Sequence, residues 1–121
     1  MKADVVLLVL LGLLFFGYGV CFGQVSVVHF NSEWNADNDF DITALKDCKK
    51  SDVVICHNPD LKDKYKIKAV PTVIVFDEEE EVARFEANIM MELEATKKDI
   101  QKEIDKIMLK KFEWDYQRIL H

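Results

Sequence analysis

The stretch NPDLKDKYKIKAVPTVIVF, Asn58 to Phe76, holds a helix start, a proline step and a strand in quick succession. Asn58-Pro59 opens the helix with proline in its first turn, where the missing N–H would have had no helical partner. LKDKYKI sets Leu61 and Tyr65 on one face and closes quickly. After Val70-Pro71-Thr72 the run VIVF, Val73 to Phe76, is β-branched and aromatic and reads as a strand. EVARF, Glu81 to Phe85, reads as the next strand, joined to it through the acidic turn DEEE as an antiparallel hairpin.

Upstream, VSVVHF from Val25 to Phe30 is apolar with little alternation, the pattern of a strand covered on both faces. The polar NADN follows. Phe40, Ile42, Ala44, Leu45 and Cys48 then suggest a short helix ending in Lys49-Lys50, a pair suited to a helix C-terminus. VVIC, Val53 to Cys56, reads as a second buried strand, parallel to the first through a right-handed crossover. Downstream, a helix starting near Met91 carries Leu93, Ile100, Ile104, Ile107, Met108 and Phe112 at helical spacing. The order is β-α-β-α-β-β-α, an α/β domain over residues 24–109 around a four-stranded mixed sheet, followed by an amphipathic helical tail over 110–121.

The first 23 residues differ in kind. VVLLVLLGLLFFGYGVCF, Val5 to Phe22, runs eighteen residues without a charge, just enough for a helix to cross a bilayer core. It reads as a retained signal-anchor or as a signal peptide cleaved before Gln24, with a buried hairpin or core helix as the third possibility. The amine terminus and Lys2 are its only positive flank, which favours a cytoplasmic N-terminus and an exported domain: periplasmic, lumenal or extracellular, and secreted if the segment is cleaved. The formal net charge is −6, and Lys2 and Asp4 cancel, so the exported domain carries all of it. Such a surface repels phosphate backbones, which argues against nucleic-acid binding. Three cysteines, Cys21, Cys48 and Cys56, lack the paired short spacing of a zinc site.

The order of elements, together with NPDLKDKYKIKAVPTVIVF and the upstream VVHFNSEW, resembles the thioredoxin superfamily, in its minimal glutaredoxin-like form, over Val25 to about Leu109. The resemblance implies a cis peptide before Pro71 and a Cys-x-x-Cys motif directly after Trp34. Here Trp34 is followed by Asn35-Ala36-Asp37-Asn38, with asparagine at both cysteine positions. Thiol exchange needs a thiolate, and an amide cannot replace it. Asparagine is instead a favoured helix N-cap, so the expected role is structural. Family members pair a partner's extended segment with the residue before the cis-proline. Carried over by position, this implies a peptide-binding patch of Trp34, Asn35, Asn38, Val70 and Pro71, which needs no cysteine.

Other residues invite chemistry and support it less. Cys48 and Cys56 fall toward opposite ends of the sheet, too far apart for a disulfide, and read as small buried hydrophobes. His29 stands where the family often has a buried acid and reads as a hydrogen-bonded core histidine. Asp37, Asp39 and Asp41 alternate as in a calcium loop, but Ile42 and Cys48 occupy the positions that need Gly and Glu. The run Asp77 to Glu81 reads as a solvated hairpin tip. In the tail, Phe112, Tyr116, Ile119 and Leu120 share a helical face and Trp114 lies off it, which suggests docking to another subunit or packing back on the domain. The expectation is a redox-inactive, membrane-anchored binding or structural module without cofactor or metal. It would have a protein partner or sit as accessory subunit in a larger assembly, touching the membrane through residues 5–22. The alternative is a thiol-disulfide oxidoreductase or single-thiol enzyme using Cys56 or Cys48.

Overall fold

The computed structural model describes residues 24–120, so the hydrophobic segment 5–22 lies outside the described residues. Four strands form one sheet: β1 (Val25–Asn31), β2 (Lys49–Val54), β3 (Thr72–Asp77) and β4 (Glu80–Glu86). Their spatial order is β2-β1-β3-β4, with β1 parallel to β2 and the two other pairings antiparallel. Among the described residues two α-helices accompany them, α1 (Pro59–Lys64) and α2 (Lys97–Leu120). Shorter 3₁₀ turns cover Glu33–Asn38 and Ile55–His57. Among the described residues no helix is long and apolar enough to cross a membrane.

The two central strands decide the packing. Successive side chains on a strand point to opposite faces, so an unbroken apolar run feeds two cores at once. Val25, Val27, Val73 and Val75 join Ile42, Leu45, Ile100, Ile104 and Ile107 on the α2 side. Phe30, Ile74 and Phe76 join Ile55, Ile67 and Val70 on the α1 side. There Tyr65 packs between Phe30 and Phe76, tilted against the first and edge-on to the second, its ring centroid 5.6 Å from each. The hairpin is as expected, with Asp77 and Glu80 as its last pair and Glu78 in the left-handed region at φ 63°. Arg84 on β4 reaches across to α1, donating to the Tyr65 carbonyl at 2.7 Å and the Lys66 carbonyl at 3.2 Å, while Glu81 holds its guanidinium at 2.9 Å.

Three expectations fail, each for a local reason. No helix forms over Phe40–Lys50. Asp41 Oδ1 accepts from the Thr43 N–H at 2.9 Å, and Asp47 sits at φ 64°. Short acidic side chains offer the backbone a turn in place of a helix. Ile42 and Leu45 are nevertheless buried, and Gln101 of α2 both donates to the Lys46 carbonyl and accepts from its N–H. Second, β2 starts at Lys49 rather than Val53 and is an exposed edge, not a buried strand. Its Lys49, Lys50 and Asp52 are the charged side chains that discourage a further strand from pairing.

Third, α2 begins at Lys97 rather than near Met91. Asn88 Oδ1 accepts from the N–H groups of Met90 and Glu92 and coils that segment into a turn, with Met91 at φ 63°. Thr96 and Asp99 then cap the helix reciprocally: Asp99 N–H donates to Thr96 Oγ1 at 3.1 Å and Thr96 N–H to Asp99 Oδ2 at 2.9 Å. Once started, α2 runs without a break through residue 120, so 110–120 is the far end of this helix and not a separate tail.

The cap generates a prediction with a pH signature. Thr96→Ala is expected to destabilise the domain by about 1 kcal/mol, read from urea midpoints. The Thr96 N–H and then its hydroxyl hold the Asp99 carboxyl below its ordinary range. A carboxyl lowered by folding stabilises above that range and ceases to do so as the pH falls through its folded value. The gap between parent and variant should therefore narrow in acid.

Candidate functional site

The end of the sheet where β1 and β3 finish and begin, at Asn31 and Thr72, gathers the residues singled out in the sequence. The Val70-Pro71 peptide is cis. Pro71 is fully buried, and its carbonyl accepts from the Ala87 N–H at 3.1 Å, while Thr72 Oγ1 donates to the Ala69 carbonyl at 2.7 Å. This fixes the loop before β3 from both sides. Trp34, by contrast, is 66% exposed.

Asn35 does not act as a helix cap. It has non-helical dihedrals inside the Glu33–Asn38 turn and is only 5% exposed. Its Nδ2 faces three acceptors: Asn31 Oδ1 at 3.2 Å, the Val70 carbonyl at 3.2 Å and the Met91 carbonyl at 3.3 Å. Its Oδ1 accepts from Asn38 Nδ2 at 2.9 Å. Asn31 closes the cluster, donating to the Asn35 carbonyl at 3.1 Å and to Asp39. One carboxamide thus ties the turn after β1 to the cis-proline loop and to the 87–96 loop. The residues at the two cysteine positions of the resembled motif are hydrogen-bonded carboxamides that offer no nucleophile.

His29, two positions before Asn31 on β1, is buried. Its Nε2 accepts from the Phe40 N–H at 3.2 Å, so that nitrogen carries no proton, and Nδ1 donates to Asp52 at 2.9 Å. His29 thus bridges the β1–β2 crossover to the edge strand.

Beside the carboxamides a groove of about 520 Å³ opens, walled by Trp34, Ile55, Cys56, Ile67, Val70 and Met91. Trp34 and Val70 meet here as expected. Asn35 and Pro71 are buried and Asn38 is half-buried, and none of the three lines the groove. Ile89, 96% exposed, and Met91 on its rim were legible only as the approach to a helix. Phe112, Trp114, Tyr116 and Leu120 are not part of this site. They lie past Lys111, which stands 2.9 Å from Asp77 at the opposite end of the sheet, within ion-pair distance of a carboxylate oxygen that has no hydrogen bond.

The cysteines separate in character. Cys48 packs partly against the α2-side core, and burial pushes its thiol up, with Asp47 adding to the rise and Lys50 opposing it. Cys56 is exposed rather than buried, and lines the groove.

Neither a family model nor a curated protein matches this sequence. Solved structures do. The chain is similar to thioredoxin-2, a component of malaria parasite protein secretion machinery, with TM-score 0.56 and 21% identity over 69% of this chain and 84% of that one. Thioredoxin 1 of Thermosipho africanus matches with TM-score 0.52 and 18% identity over 69% and 93%. Thioredoxin NaTrxh of Nicotiana alata gives 0.51 and 20% over 71% and 75%. The fold is thioredoxin-like. At these identities the likeness carries the architecture and leaves the chemistry to the residues of this chain.

Asn35→Ala should leave three buried or part-buried acceptors without their donor and cost about 2 kcal/mol. Amide hydrogen exchange should accelerate first in 87–96, the loop that Asn35 holds through the Met91 carbonyl, and β1 and β3 should stay protected.

Proposed function

We propose that this chain is a thiol-independent binding module on a thioredoxin-like fold, anchored at a membrane and serving as an accessory subunit of a larger assembly. One observation carries the reading: the dithiol position is filled by the Asn31–Asn35–Asn38 carboxamide network, while the adjoining groove stays open. A site kept for thiol exchange needs a low-pKa thiolate at that position. A site kept for recognition needs a shaped surface with backbone groups to pair and an aromatic to cover the ligand, which Val70 and Trp34 supply. Asn35 occupies the Val70 carbonyl from behind, and a carbonyl has a second lone pair for a partner's N–H. The malaria parasite thioredoxin-2 is a component of a secretion machinery, so a thioredoxin fold can serve inside an assembly.

Polarity supports the rest of the reading. Gln24, where the apolar segment joins, accepts from the Glu78 N–H at 3.0 Å, at the end of the sheet opposite the groove. The far turns of α2 stand at that same end, with Phe112, Trp114, Tyr116 and Leu120 all more than half exposed. Anchoring through residues 5–22 would leave the groove facing away from the bilayer, toward the exported side. The exposed turns would then be free to dock a protein partner.

The test uses the full chain in detergent. No reduction of a protein disulfide above the rate of free thiol is expected, and Trp34→Ala should weaken capture of the native partner without lowering the melting temperature. Ending the chain after Leu109 keeps Ile100, Ile104 and Ile107 in the core, so folding should persist while co-purification of partners is lost. Disulfide turnover abolished by Cys56→Ser would overturn the reading. That outcome would favour the second one, a single-thiol enzyme, for which the specific support is that Cys56 is exposed in the groove beside Val70 and Trp34.

A further inference from the structure

Glu33 and the pair Cys56-His57 stand more than twenty positions apart in sequence, in two different 3₁₀ turns. The parallel pairing of β1 with β2, ending at Asn31 opposite Val54, delivers both turns to the same corner of the molecule. Each turn is fixed by its own backbone bond, Asn35 N–H to the Ser32 carbonyl and Asn58 N–H to the Ile55 carbonyl, both 3.0 Å. The corner brings a carboxylate oxygen, a thiol sulfur and an imidazole nitrogen within 4.8 Å of one another. His57 Nε2 already lies 3.2 Å from Glu33 Oε2.

The donor set discriminates between cations. Calcium and magnesium take oxygen ligands, so a thiol and an imidazole are the wrong partners for them. One thiolate, one imidazole and one carboxylate suit Zn²⁺, whose bonds of about 2.0–2.3 Å place tetrahedral ligands roughly 3.3–3.8 Å apart. All three side chains are exposed and can close the remaining ångström by rotation. We propose that Glu33, Cys56 and His57 form a three-ligand Zn²⁺ site on the rim of the groove, with water in the fourth position. On binding, the Cys56 thiol loses its proton to solvent as the Zn–S bond forms, neutral His57 gives a nitrogen lone pair, and the Glu33 carboxylate completes the set. No group changes oxidation state. Bound metal would join the turn that carries Trp34 to the turn that carries Cys56, bracing two walls of the groove. This site stands independently of whether a peptide occupies that groove.

The experiment is a Co²⁺ titration of the full chain in detergent with a non-chelating reductant, in a Cys21→Ser, Cys48→Ser background so that Cys56 is the sole thiol. The expected result is a near-ultraviolet sulfur-to-cobalt charge-transfer band and visible d–d absorption of tetrahedral intensity. Both should saturate at one equivalent and bleach on addition of Zn²⁺. Cys56→Ser should abolish the charge-transfer band, and His57→Ala and Glu33→Gln should each weaken binding about tenfold or more. A melting curve on each variant checks that these exposed substitutions leave the fold intact. Absence of a saturable band at one equivalent overturns the proposal. So does a band indifferent to both His57→Ala and Glu33→Gln, which would mark a thiolate acting alone.

Discussion

The antiparallel pairing of β1 with β3 is the constraint on which the rest of the molecule depends. It aligns Val25 with Asp77 and Phe30 with Thr72, six pairs deep, and every residue from Thr72 to Phe76 is buried. A sheet with both faces covered separates the molecule into two apolar compartments that share no side chains. It also sets a direction. One end of the pair holds the cis-proline loop and the carboxamide cluster, and the other holds the chain's junction with its apolar N-terminal segment and the far turns of α2. Shifting this register by one residue would exchange the two compartments, turning Ile74 and Phe76 toward α2 and Val73 and Val75 toward α1.

Wherever long-range packing and local preference agree, the sequence was readable. Val73 to Phe76, the acidic hairpin turn and Asn58-Pro59 each carry a local signal strong enough to name the element. The failures cluster where Asp and Asn side chains bond to nearby backbone. Phe40, Ile42, Leu45 and Cys48 have helical spacing, yet Asp41 and Asp47 divert the chain, and the apolar residues reach the core from a loop instead. Asn88 has the same effect ahead of α2. Apolar periodicity reported which residues are inside; it did not report the backbone path that takes them there.

The site was legible in two of the groove's residues, Trp34 and Val70, and not in Ile55, Cys56, Ile67 or Met91, which share it. Trp34 and Val70 line one groove, as the family resemblance implied. Two of the bonds from Asn35 cross from the turn after β1 to loops 35 and 56 residues later, a relation with no signature along the chain. The buried amide also explains how such a loop cluster keeps its shape without a disulfide. Satisfied polar networks in a low-dielectric setting specify a unique geometry, and this one has a partner for each polar atom of Asn35.

The continuity of α2 has a mechanical meaning. Twenty-four residues at 1.5 Å each make a rod of about 36 Å, longer than the sheet it lies on. In its first turn Lys97 lies 3.8 Å from Asp41, and the loop that leads into it hangs from Asn35 by the Met91 carbonyl. Its far turns project past Lys111 like the handle of a lever. One continuous helix therefore runs from the cap at Thr96, beside the loop that Asn35 holds, to the exposed turns at the opposite end of the sheet.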